Sequence, residues 1–240
     1  MRRLLAAAAV CALSVTGLAA CSGSPPATSS SGQLVRALNT GESATVTYCN
    51  GQQADITEPA RLNGVAPVAV YIHGGAWVSG DRTTGGFLID GIGPTLNADG
   101  FVTMSIDYRL GPDNQWPAQI EDAKCAVRYL RANAGLLHVN TNEIGVWGHS
   151  AGGHLAALVG TAGPSAGWDV GASTNESSAV QAVVDLAGVS DLLTLGHQGA
   201  GSLVTKNFVS LLANVPPDQL QTELTQASPV TWVAHGDPRS

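Results

Sequence analysis

The stretch VWGHSAGGHLAAL, Val146 to Leu158, holds one serine, Ser150, with glycines two residues before and two residues after it. A serine hydroxyl set into a sharp turn between a strand and a helix is a nucleophile looking for a base, and the G-x-S-x-G spacing supplies that turn. Small neighbours let strand and helix approach each other while the hydroxyl projects at the edge of a sheet. The next amide, that of Ala151, would open the helix and can donate to a developing oxyanion. The competing role for Ser150 is a plain helix N-cap, which does not need glycine on both sides. A second stretch, YIHGGAWVSGD from Tyr71 to Asp81, places Gly74 and Gly75 in a loop whose amides can face outward. Taken alone it reads as a turn; beside Ser150 it reads as the second half of an oxyanion site.

The elements that would position these residues are legible from hydrophobic pattern. Ala66–Ile72, Phe101–Tyr108, Ile144–Gly148 and Ala182–Gly188 are short apolar runs rich in valine and isoleucine, as in strands covered on both faces. Between them, residues 117–135 place Ile120, Ala123, Val127 and Leu130 at helical spacing, starting at Pro117 and stopping at Gly135. A second helix is expected over residues 150–160. Strands separated by helices predict an α/β fold with a mostly parallel sheet and right-handed crossovers.

The chain has 240 residues, is 44% hydrophobic and 12% charged, and carries a formal net charge of -7. Such a chain can bury a sizeable core. Its acidity and the lack of a basic run exclude nucleic acid as a partner class. Residues 1–20 join Arg2 and Arg3 to an apolar run ending in small side chains, the build of an export signal. Leu18 to Cys21 further resembles the bacterial lipoprotein signal, in which Cys21 becomes the first residue and carries lipid. The expected location is therefore the outer face of the bacterial cell membrane, with simple secretion as the alternative. Residues 21–43, rich in serine, proline and glycine after Cys21, read as a flexible tether, and 44–240 as the folded domain. Cys49 and Cys125 are then the remaining cysteines; export permits a disulfide between them, and spacing alone leaves paired and free thiols equally open. Histidines and cysteines lack ligand spacing, so neither metal nor cofactor is expected. Oligomeric state is not legible.

HGGAW, DYRL (Asp107 to Leu110), WPAQIEDAKCAVRYLRAN and GVWGHSAGGHLAAL together resemble the carboxylesterase and hormone-sensitive-lipase-like branch of the α/β-hydrolase superfamily. The resemblance implies an α/β-hydrolase fold, a small acyl ester as substrate, Ser150 as nucleophile, and an oxyanion hole from the loop Gly74, Gly75, Ala76 together with Ala151. Relatives usually carry a third glycine where this chain has Ala76. The same resemblance implies an acid and then a histidine after the serine. His154, one helical turn beyond Ser150, reads as a packing or surface residue, and His73 and His149 as structural hydrogen-bonders. Asp191, His197 and His235 are the weak candidates for acid and base, with Asp191 better read as a helix cap. Neither family position is matched before Ser240, so the last strands are expected to be missing and the machinery incomplete as written. A serine ester hydrolase is the leading reading; a ligand-binding or membrane-tethered non-catalytic relative is the alternative.

Overall fold

The computed structural model describes residues 43–195, 201–234 and 237–238. Residues 1–42, with Cys21, lie outside the described residues, as do His197 and His235. In chain order the strands are β1 (Ser43–Thr47), β2 (Gln53–Thr57), β3 (Ala66–Ile72), β4 (Val102–Ile106), β5 (Val139–His149) and β6 (Ala182–Leu186). The helices are α1 (Gly86–Ala98), α2 (Ala118–Ala132), α3 (Ala151–Thr161), α4 (Leu192–Leu195), α5 (Gly201–Ser210) and α6 (Leu220–Gln226).

One six-stranded sheet has the order β1-β2-β4-β3-β5-β6. Strands β4, β3, β5 and β6 run parallel, while β2 lies antiparallel to both β1 and β4. The parallel part follows the apolar runs read from sequence. The antiparallel pair does not, because SATVT and QADIT are short strands that bury only alternate side chains and carry little apolar signal. Nor does α1: Gly86, Gly91, Gly93 and Pro94 within it are poor helix formers, and packing against the sheet overrides their propensity. Helix α2 buries Ile120, Ala123, Val127 and Leu130 as its spacing requires.

One face of the sheet is covered by α2 and α3, the other in part by α1. The main core gathers Val68, Val70, Ile72, Val102, Met104, Ile106, Ile144 and Val146 against α2 and α3. A smaller cluster of Ala69, Tyr71 and Trp147 packs with Ile92 and Leu96 of α1, Phe101 and Leu186. Beside it an apolar groove of about 590 Å³ runs between α1 and β6, where Val184 is half exposed.

Helix α2 also buries charge, and each charge has a partner. Asp122 accepts from Nε, NH2 and the backbone amide of Arg109 and from Asn50. Arg128 pairs with Asp169 and donates to the carbonyls of Ala172 and Val170. Lys124 donates to the Ala162 carbonyl at 2.7 Å. Burial pushes its pKa down, with Asp169 acting in the opposite direction.

The question left open for the two cysteines is decided by proximity. Cys49, in the turn after β1, forms a disulfide with Cys125 of α2, with Cα atoms 6.1 Å apart and a separation of 76 positions along the chain. Both are buried. Cross-linking so long a segment restricts the unfolded chain, and replacing both cysteines by alanine should cost on the order of 2–4 kcal/mol. Urea unfolding of the double variant against the parent checks this; equal midpoints with and without reductant in the parent would contradict it.

Candidate active site

The parallel register brings the two glycine motifs to one place. Ile72, the last residue of β3, lies level with Gly148 of β5, and Gly148 with Asp185 of β6. The chain therefore leaves β3 as His73-Gly74-Gly75 beside the point where β5 turns into α3. This is the carboxyl edge of a parallel sheet, where open α/β folds carry their sites.

Ser150 stands in that turn with φ 56° and ψ −119°, a conformation that side chains with a Cβ rarely adopt. Its amide donates to the Leu186 carbonyl at 2.9 Å, and its carbonyl accepts the first helical bond from His154 N at 3.0 Å. Its side chain makes no capping hydrogen bond, so the hydroxyl is not spent on the helix end. The glycines explain how the turn is possible. A Cβ on Gly152 would lie 2.0 Å from the Ile72 carbonyl oxygen, one on Gly148 2.3 Å from the Gly152 oxygen, and one on Gly153 2.3 Å from Asp185 Oδ1. A Cβ on Gly74 would stand 3.5 Å from Ser150 Cβ and 2.9 Å from the His149 oxygen. The loop and the nucleophile turn are thus in direct contact.

The loop itself is wound through three successive positive φ values: Gly75 at 118°, Ala76 at 53° and Trp77 at 62°. Gly75 is held by its carbonyl, which accepts from Val78 N, Ser79 N and Ser79 Oγ at 3.0–3.1 Å. Ala76 occupies a left-handed position that glycine would take without strain. Ala151 is the first residue of α3 and sits at the positive end of the helix dipole.

Three histidines lie around this turn, two of them engaged by other partners. His73 is fully buried, donates from Nδ1 to the Gly74 carbonyl at 2.6 Å, and stacks on Tyr108 with ring centroids 4.3 Å apart. Burial lowers its pKa. Tyr108, from the DYRL run, donates its hydroxyl to the His73 carbonyl at 3.0 Å, so this run braces the base of the loop. His154 is fully buried. It donates from Nε2 to the Ala227 carbonyl at 2.7 Å, and its Nδ1 accepts from the Trp77 indole N–H at 3.2 Å. A single neutral tautomer satisfies both bonds. His149 is exposed beside Ser150. Asp191 caps α4: Oδ1 accepts from the amides of Leu193 and Thr194, and Oδ2 from the Thr194 hydroxyl. Burial raises its pKa, and the bonds from Thr194 and Leu193 outweigh that, leaving it below the usual carboxylate value. His197 and His235 fall outside the described residues. Sequence reasoning placed the Ser150 turn and the glycine loop but missed Tyr108 and Trp77 as their braces; the aromatic after HGGA was the available signal.

The sequence model of the BD-FAE family matches residues 54–240. The chain belongs to the BD-FAE family. Among its relatives, this BD-FAE chain is 39% identical over 123 residues to Esterase LipC of Mycobacterium tuberculosis, a match covering 51% of the chain and 30% of LipC. It is 28% identical over 177 residues to the probable carboxylic ester hydrolase LipM of the same organism, covering 74% of the chain and 40% of LipM. The chain thus spans less than half of the length of these relatives. Among solved structures it is similar to a truncated form of a carbohydrate esterase from gut microbiota, with TM-score 0.70, 27% identity, and 83% of this chain and 75% of that one covered. It is also similar to a bifunctional GH43-CE protein of Bacteroides eggerthii, with TM-score 0.66, 32% identity, and 78% and 27% covered. The BD-FAE chain has the α/β-hydrolase fold of these esterases.

Burial lowers the pKa of His154 to about 4, and its bond to the Ala227 carbonyl only partly offsets this. The unfolded chain takes up that proton at its ordinary pKa of about 6.5, before the folded one does. Stability is therefore unaffected by this group above about pH 6.5 and falls as pH drops toward 4, by up to about 3 kcal/mol. Thermal melts of parent and His154→Gln between pH 7 and pH 4 should show a shallower fall in the variant; parallel curves would reject the assignment.

Proposed function

We propose that this chain is a carboxylic ester hydrolase that forms an acyl-enzyme at Ser150. The observation that carries the reading is the serine itself: a strained strand-to-helix turn holds it, its hydroxyl caps nothing, and the Gly74 loop touches it. The hydroxyl attacks the ester carbonyl, and the carbonyl oxygen becomes an oxyanion received by the amides of Gly75, Ala76 and Ala151. The tetrahedral intermediate collapses, the alcohol leaves, and water releases the acid in a second cycle. The esterase names of the relatives and the esterase neighbours of the fold support a small acyl ester as substrate.

The hydroxyl proton needs an acceptor. Both ring nitrogens of His154 are engaged, so the remaining histidines after Ser150 are His197 and His235. Purified mature chain should hydrolyse a short-chain p-nitrophenyl ester, and Ser150→Ala should abolish the rate. If His197→Ala or His235→Ala lowers the rate as far, the base is found. If neither does, the parent should show only the roughly 10³ to 10⁴ over water that positioning and oxyanion donors give. Ester binding without any Ser150-dependent turnover would instead support a ligand-binding protein.

The same proposal places the chain outside the cell, held to the outer membrane face by lipid on Cys21. The support is the basic and apolar leader ending in Leu18-Ala19-Ala20-Cys21 and the serine-rich segment after it. In a bacterial host, Cys21→Ala should release the protein from membranes or leave it as uncleaved precursor. Membrane retention of a mature-length variant would refute the anchor.

A further inference from the structure

Both ring nitrogens of His154 are engaged, and through it three pieces of the candidate site meet. Its amide makes the first helical hydrogen bond behind the nucleophile, to the Ser150 carbonyl at 3.0 Å. Its Nδ1 accepts the indole N–H of Trp77, the residue after the oxyanion donor Ala76, at 3.2 Å. Its Nε2 donates to the carbonyl of Ala227, at the end of α6. Imidazole and indole meet edge to face, with centroids 5.2 Å apart and planes at 86°, and Phe208 of α5 packs on both. All three side chains are fully buried.

The need for such a tie lies in the loop. Ala76 and Trp77 both sit at positive φ, where residues with a Cβ are disfavoured. Relaxation of the segment toward negative φ would move the Gly75 and Ala76 amides. A buried indole whose N–H has one acceptor cannot rotate without leaving that group unpaired. Phe208 packs edge to face on the indole, and Trp116 packs on Phe208 behind it.

We propose that His154 is a positioning residue for the oxyanion hole, latching the Gly75-Ala76 donors to the Ser150 turn through the Trp77 indole. The inference rests on the esterase reading above, in that it gives the held amides their task. The latch couples catalysis to the α5–α6 segment as well, because the same imidazole is oriented by Ala227.

The test uses the full chain. Among its five tryptophan indole N–H signals, Trp77→Phe identifies the one that belongs to residue 77. His154→Ala should shift that signal and strip it of exchange protection, shift or broaden the backbone amide signals of Gly75 and Ala76, and slow covalent labelling of Ser150 by an organophosphonate about tenfold or more. With an ester substrate, kcat should fall while KM stays near the parent value. His154→Gln, which keeps one acceptor and one donor, should recover most of the rate. Trp77→Phe, which keeps the ring and loses the donor, should reproduce the loss even if His154→Ala fails to fold. The proposal is overturned if folded Trp77→Phe leaves the Gly75 and Ala76 signals and the labelling rate at parent values. A parent chain that never labels at Ser150 would sink the esterase reading alone, and the amide and indole signals would still decide the latch.

Discussion

The whole site hangs on backbone touching backbone where β3 ends. The Ile72 and His73 carbonyls lie so close to Gly152, and Gly152 so close to Gly148, that no Cβ fits at either glycine. That contact lets α3 start hard against the sheet, which in turn forces Ser150 into its unfavourable φ and ψ. The strain is local and the compensation is global. Four parallel strands in register, with a buried apolar layer on each face, hold the turn in a state the tetrapeptide would not adopt alone.

Around that contact the molecule uses polar groups as braces. Tyr108 holds the His73 carbonyl, His73 holds the Gly74 carbonyl, and His154 holds Trp77. Each of these groups is buried, and each bond therefore has the weight that an unpaired polar group in a dry interior would lose. Arg82 links Asp55 of β2 with Asp107 after β4, and Arg109 links the same corner to α2 through Asp122. The disulfide from Cys49 to Cys125 adds a covalent tie on that side. The resulting division is clear: apolar layers supply the stability, and hydrogen-bonded side chains choose the geometry at the sheet's edge.

The site is built of parts with different tolerances. The Ser150 turn admits no extra atom at Gly148 or Gly152, whereas the loop carries a Cβ at Ala76. The loop carries that methyl group in a left-handed conformation, which a Cβ disfavours, at two consecutive L-residues. Trp77, locked between α3 and α5, is where the tension of that loop is held.

Ser150, the Gly74–Gly75 loop, Ala151 and the parallel strands were legible in the sequence, because close backbone approach demands glycine at fixed spacing and buried strands demand continuous apolar runs. The helical face of α2 was legible for a similar reason, in that burial repeats every turn. The β1–β2 pair and α1 were not, since their residues carry weak local preference and fold only against the sheet. Asp191 could be a cap or an acid in one dimension; the amides of Leu193 and Thr194 that occupy its carboxylate exist only once α4 forms. The pairing of Cys49 with Cys125 and of Trp77 with His154 likewise joins residues 76 and 77 positions apart. Spacing along a chain fixes chemistry that neighbours perform together, and it is silent on distances that only the packing of distant elements sets.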